Sequence, residues 1–119
     1  MITIRRAESG DCEAVFYLAR AFATSFAVER SAFKTSFSVL LESPDALLVV
    51  AADGTRVVGY VLGFDHYALY AKGRVSWVEE IMVAEDVRRR SVGRRLIGAL
   101  EDWARGRQSR LVGLATRRA

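Results

Sequence analysis

The stretch from Val78 to Leu96, VEEIMVAEDVRRRSVGRRL, most constrains what this chain can fold into. It begins as a strand, turns through Ala84-Glu85-Asp86-Val87, and continues as an amphipathic helix expected from about Val92 to Gly106. Val92, Leu96, Leu100, Trp103 and Ala104 form the apolar stripe of that helix. A strand that feeds a one-sided helix needs a layered arrangement of sheet and helices. The handover between them is basic: Arg88, Arg89, Arg90, Arg94 and Arg95 surround the small residues Ser91 and Gly93. The first N–H groups of a helix are unpaired and carry partial positive charge, and small residues let a ligand come close to the backbone. An ordinary solvated first turn is the plainer reading, but the helix dipole disfavours arginine there. The segment therefore reads as a phosphate or pyrophosphate site from Arg88 to Arg94.

The rest of the chain fits the same layered class. Ile2 and Ile4 alternate with Thr3 and Arg5 as a short strand. Ser9-Gly10-Asp11 supplies helix-start residues, and Val15, Leu18, Phe22 and Phe26 space a first helix to about Ser25. Phe33, Phe37, Leu40 and Leu41 mark a second helix, ended by Pro44, the only proline. Strands are expected over Leu47–Ala52 and Val57–Phe64, joined by Asp53-Gly54-Thr55-Arg56. A polar, aromatic loop from Asp65 to Gly73 leads to a third run, Arg74–Val83, and Leu111–Ala115 reads as a buried last strand. The order is β-α-α-β-β-β-α-β: an α/β (α+β layered) fold with a mixed, largely antiparallel sheet flanked by helices, in one domain over residues 1–119.

Composition narrows the function classes. Hydrophobic residues are 51% and charged residues 27% of 119, a globular balance. The apolar run Ala46–Ala52 is far short of a bilayer span, and no N-terminal leader pattern is present, so the expectation is a soluble cytoplasmic protein without a membrane partner. One cysteine, Cys12, and one histidine, His66, leave no metal-ligand spacing, so no metal is expected. Residues 1–83 carry 8 basic and 10 acidic side chains, whereas residues 84–119 carry 10 basic and 4 acidic. That asymmetry suits an anion in the last third. Nucleic-acid binding is a weaker alternative, because no basic stretch interleaved with aromatics accompanies the modest net charge of +4.

Arg88, Ser91 and Gly93, preceded by the strand Val78–Val83, resemble the acetyl-CoA signature of the GNAT superfamily of N-acetyltransferases: Arg or Gln, two residues, Gly, one residue, then Gly or Ala. The element order and Val58-Gly59-Tyr60 in the hairpin extend the resemblance along the whole chain. It implies transfer of an acetyl group from acetyl-CoA, as cosubstrate, to a primary amine of a small molecule or peptide. It also implies that the N–H groups of Arg88, Arg89, Arg90, Ser91, Val92, Gly93 and Arg94 cradle the pyrophosphate. Ile81, Met82 and Val83 would then splay from the neighbouring strand, pair with the pantetheine arm and polarise the acetyl carbonyl. Ser91 departs from the family's usual glycine. A left-handed backbone there would cost about 1–2 kcal/mol, whereas close approach alone would let the hydroxyl donate to a phosphate.

An amine acceptor must lose a proton, and a carboxylate near the thioester can take it. Trp77-Val78-Glu79-Glu80 resembles an aromatic–apolar–acid–acid run of diamine acetyltransferases, which makes Glu79 and Glu80 the catalytic candidates. Strand alternation would put them on opposite faces. His66 reads as a surface-loop histidine, Tyr67 and Tyr70 as half-buried loop aromatics, and Cys12 and Trp103 as packing residues.

Family members usually continue past the strand equivalent to Leu111–Ala115 with a helix bearing the tyrosine that protonates the CoA thiolate, then two more strands. Here Thr116–Ala119 stands where that helix would begin, so the resemblance implies a C-terminally shortened fold. An exposed sheet edge follows from that, with a homodimer across it as the expected cover. The alternative to an enzyme is a catalytically impaired acyl-CoA-binding or dimerisation module.

Overall fold

The computed structural model describes residues 1–22 and 27–114. Five strands form one sheet in the order β1-β2-β3-β4-β5: β1 (Ile2–Arg6), β2 (Ala46–Asp53), β3 (Arg56–Ala68), β4 (Gly73–Val83) and β5 (Ser109–Leu114). Neighbours from β1 to β4 are antiparallel, and β5 runs parallel to β4. The described helices are α1 (Cys12–Phe22), α2 (Arg30–Glu42) and α3 (Val92–Gly106). The chain is therefore α/β with a mixed, mostly antiparallel sheet, in the element order that the periodicities imply.

The sheet carries a core on each face. The α3 face buries Val92, Leu96 and Leu100 against Val49, Val58, Val61 and Val78. The opposite face buries Val15, Ala19 and Phe37 of α1 and α2 against Leu48, Val50, Tyr60 and Leu62. A central strand covered on both sides needs apolar residues at every position, so the unbroken run Ala46–Ala52 is buried throughout.

Local chemistry sets the boundaries. The Asp11 carboxylate takes the Glu8 N–H at 2.8 Å and a two-pronged bond from Arg5 at 2.8 and 2.9 Å, which pins the approach to α1. Glu29 caps α2 by accepting the Ala32 N–H at 2.8 Å. Ser43 leaves helical geometry (φ −75°, ψ 125°) as a residue before proline must. Gly54, at φ 63°, supplies the left-handed position of the β2–β3 turn.

Two expectations change. The stretch after Phe64 is not a loop, because β3 continues to Ala68 and pairs His66 with Val75 and Tyr67 with Arg74. The polar residues Asp65 and Arg74 conceal that continuation: Asp65 faces Ser76, and Arg74, which faces Tyr67, reaches across to Asp65 diagonally as an ion pair. β5 is an edge strand and not a buried one, with Leu111 half-buried and Gly113 exposed. The expected end of α1 near Ser25, Phe26 of its stripe, and Ala115 with Thr116–Ala119 lie outside the described residues.

Candidate active site

The middle of β4 departs from regular pairing. Leu62 of β3 faces Glu80 and the next residue, Gly63, faces Val78, so Glu79 is an extra residue in a bulge. Val78 and Ile81, three positions apart, both belong to the α3-face core. Strict alternation cannot place both there. Glu79 and Glu80 both fall where the strand inserts its extra residue, so the faces they take do not follow from simple alternation; Glu80 reaches the α1/α2 side of the sheet. Val78, Ile81 and Val83 all being apolar at odd-then-even spacing was a usable sequence signal for the bulge.

Beyond the bulge β4 is paired on one side only among the described residues. Ile81, Met82 and Val83 pair with Val61, Tyr60 and Gly59 of β3. On the other side the last pair joins Val78 to Leu114. Among the described residues nothing pairs with the backbone of Glu79–Val83 on the β5 side, where the resemblance puts the pantetheine arm.

The basic turn lies directly after this edge. A 3-10 turn, Glu85–Val87, leads through Arg88–Arg90 to Ser91, which stands at the N-cap of α3 in the left-handed region (φ 62°, ψ 21°). Its side chain makes no capping bond. The N–H groups of Arg89, Ser91, Val92, Gly93 and Arg94 find no backbone acceptor among the described residues, whereas Arg90 and Arg95 donate to Val87 and Ser91. Gly93 leaves space: a Cβ there would meet nothing nearer than Val83 Cγ2 at 3.9 Å. Arg88 turns back, its Nε donating to the Val83 carbonyl at 3.0 Å, and Arg90 stands 3.9 Å from Asp53. Arg89 and Arg94 make no ion pair among the described residues. A fan of unpaired N–H groups beside arginines can hold a pyrophosphate. Cosubstrate and turn therefore fit by the chemistry of the donor set.

On the other face, α1 and α2 stand over the sheet and leave a cavity of about 300 Å³. Val15, Ala19, Phe33, Leu40, Leu48 and Leu62 give it apolar walls, and Glu80 and Tyr60 supply polar groups from the sheet. The Tyr60 hydroxyl donates to Glu80 Oε1 at 2.9 Å. Burial first, and then the neighbouring carboxylate, push the Tyr60 hydroxyl far above the usual phenol range. It stays protonated and acts as a fixed donor that orients Glu80. Sequence reasoning missed this role for Tyr60; its register opposite Met82, next to Glu80, appears only once β3 and β4 are paired. Glu79 is half-buried and does not line this cavity.

The remaining candidates take structural positions. His66 lies in β3, not in a loop, and its ring packs against Trp77 with centroids 4.6 Å apart. Tyr67 and Tyr70 are exposed, not half-buried. Cys12 is half-buried beside the α1/α2 core and Trp103 packs against the α3 core. Arg107 of the α3 C-terminus donates to Asp65 Oδ2 at 2.5 Å, and Arg74 donates to the same oxygen at 2.7 Å. Ser109 donates to the other oxygen at 2.9 Å. This cluster was not legible before β3 was extended. Among the described residues no group of three His, Cys, Asp or Glu side chains is placed to hold a metal, and no helix is long and apolar enough to cross a membrane.

Residues 7–119 match the family model described as the Acetyltransferase (GNAT) family, so the chain belongs to the GNAT acetyltransferases. No curated protein matches it. Solved structures share its fold at low identity. A transcriptional regulator from Bacillus halodurans C-125 superposes with a TM-score of 0.86 at 22% identity, over 98% of this chain and 83% of that one. A ribosomal-protein-alanine N-acetyltransferase from Brucella melitensis biovar Abortus 2308 gives 0.78 at 22%, over 100% and 82%. An aminoglycoside N-acetyltransferase in complex with CoA gives 0.83 at 18%, over 100% and 78%.

Proposed function

We propose that residues 1–119 form one acetyltransferase domain that moves an acetyl group from acetyl-CoA to a primary amine. The observation that carries this reading is the combination at the β4–α3 junction: among the described residues, a strand segment paired on one side only, followed by N–H groups around Ser91 without a backbone acceptor. In this reading Arg89, Arg90, Ser91, Val92, Gly93 and Arg94 hold the pyrophosphate, with Arg88 bracing the turn through the Val83 carbonyl. The backbone of Ile81, Met82 and Val83 receives the pantetheine and acetyl groups, and an N–H there stabilises the developing oxyanion.

The acceptor nitrogen forms the new C–N bond, the C–S bond of the thioester breaks, and the leaving thiolate takes a proton from water. The amine must first give up its own proton. Glu80, fixed by Tyr60, is the better placed base or cation holder, and Glu79 on the bulge is the second candidate. The protein works in the cytoplasm in this reading, and two copies cover the β5 edge; sedimentation at micromolar concentration tests that pairing.

Acetyl-CoA at one hundred times its dissociation constant should stabilise the fold by about 2.7 kcal/mol. The expected result is a saturable melting shift with acetyl-CoA, together with amine-dependent release of free thiol. No shift at millimolar acetyl-CoA would sink the reading. A shift without thiol release across varied amines would identify a binding module that does not turn over.

A further inference from the structure

The cavity under α1 and α2 combines a small volume, apolar walls and a single uncommitted carboxylate, which together restrict what an acceptor can be. We infer that this protein acetylates monoamines carried on a slender apolar body, and not polycationic amines. The inference rests on the acetyl-transfer reading above and names the substrate class for it.

Three observations carry it. The first is size: at roughly 30 Å³ per water-sized group, a cavity of about 300 Å³ holds about ten non-hydrogen atoms. An amine on a short alkyl or aryl body fits within that space, whereas most of a multi-ring aminosugar would lie outside the apolar walls. The second is charge. Among the described residues the acidic ones lining the cavity are Glu29 and Glu80, and no lysine or arginine lines it. Glu29 is committed to its own helix, accepting from Ser31 Oγ and from the Ala32 N–H. Glu80 has one oxygen bonded to Tyr60, and its other oxygen has no hydrogen-bond partner among the described residues. One ammonium therefore finds one acceptor, and a second or third positive charge would lose its water against apolar walls without compensation. The third is placement. Glu80 belongs both to the cavity wall and to the β4 segment next to the bulge, beside the open edge proposed for the thioester. An amine held by Glu80 has its body among Val15, Leu40, Leu48 and Leu62 and its nitrogen toward β4.

The test uses the full chain saturated with CoA, titrated calorimetrically with n-butylamine through n-octylamine and, separately, with spermidine and neamine. Affinity should rise roughly fourfold per methylene while the chain stays within the cavity. Glu80→Gln, which keeps the shape and removes the charge, should weaken n-octylamine at least tenfold. Ser36→Trp, a change at an exposed lining position of α2, should lower the octylamine-to-butylamine affinity ratio at least tenfold while the acetyl-CoA melting shift persists. A flat alkylamine series, or tighter binding of spermidine or neamine than of n-octylamine, overturns the inference. If acetyl-CoA binds and the series is flat, only the substrate class falls. If acetyl-CoA produces no melting shift, the acetyl-transfer reading falls and the inference with it.

Discussion

The two halves of β4 obey opposite rules. From Gly73 to Val78 the strand is paired on both sides, to β3 and to β5, and its side chains are tied into a network of charge. Asp65, with its side chain fully buried, collects Arg74, Arg107 and Ser109, while the same two arginines reach Asp45 at 2.9 and 2.7 Å. From Glu79 to Val83 the strand pairs on one side only among the described residues, takes up an extra residue, and is followed by a serine in a backbone region that serine disfavours. The charge network is concentrated in the half away from the proposed chemistry. The half next to the cavity and the basic turn pairs its backbone with β3 alone among the described residues. That contrast suits the acetyl-transfer reading proposed above, and single changes can break either side of it.

The largest effect is expected from the locked half. Asp65→Ala leaves Arg74 and Arg107 facing each other across a buried site and frees Ser109. Loss of one partner of a buried ion pair costs about 3–5 kcal/mol, and about 3 kcal/mol is expected here because both guanidinium groups can turn toward water. Urea unfolding measures it; a loss under 1 kcal/mol would show that the network contributes little. The pH dependence has a definite sign. Burial alone would raise the Asp65 carboxyl, but the bonds from Arg107, Arg74 and Ser109 outweigh it and hold the group below the ordinary carboxylate value. A depressed folded-state value means its contribution is present above the unfolded value of about 3.9 and is lost as pH falls through the folded one. The acid-induced destabilisation of the wild type below about pH 4 should therefore be shallower in Asp65→Asn.

The junction between the halves is the next point to strike. Gly63 faces Val78 at the register shift, and a Cβ there would come within 2.4 Å of Leu100 Cδ1. Leu100 is fully buried in the α3 core, so its side chain can move aside only by displacing packed neighbours. Gly63→Ala should cost about 2 kcal/mol by overpacking, read as a lower denaturation midpoint at unchanged slope. An alanine tolerated without loss would mean that α3 can slide on the sheet.

Much of this architecture is legible in the sequence, and the failures have one physical cause. Helices such as Val92–Gly106 and the boundary at Pro44 are set by spacing and backbone restriction within a short stretch. The basic turn with Ser91 and Gly93 is likewise a local feature. What escaped was set by partners distant in the chain. Asp65, His66 and Tyr67 look like a loop until Arg74, Val75 and Arg107 are placed opposite or against them. Tyr60 looks like an ordinary hairpin residue until Glu80 arrives at its hydroxyl. Glu79 and Glu80 look like an alternating pair because a bulge is a property of two paired strands, visible in one only through the spacing of Val78, Ile81 and Val83.

The smallest expected effect sharpens the open half. Ser91 adopts φ 62°, where a Cβ crowds the backbone and only glycine is at ease. Its hydroxyl repays none of that strain by capping α3. Ser91→Gly should therefore stabilise the protein by about 1 kcal/mol, offset in part by the greater freedom of glycine in the unfolded chain. Acetyl-CoA titration of the same variant separates two roles for the serine. If the hydroxyl donates to a phosphate, affinity falls even as the fold becomes more stable. If the serine only occupies a position that suits glycine, affinity holds or rises. A strain held in place by a ligand bond would be the mark of a binding turn, whereas relief of strain with no loss of affinity would assign binding to the backbone N–H groups of the turn alone.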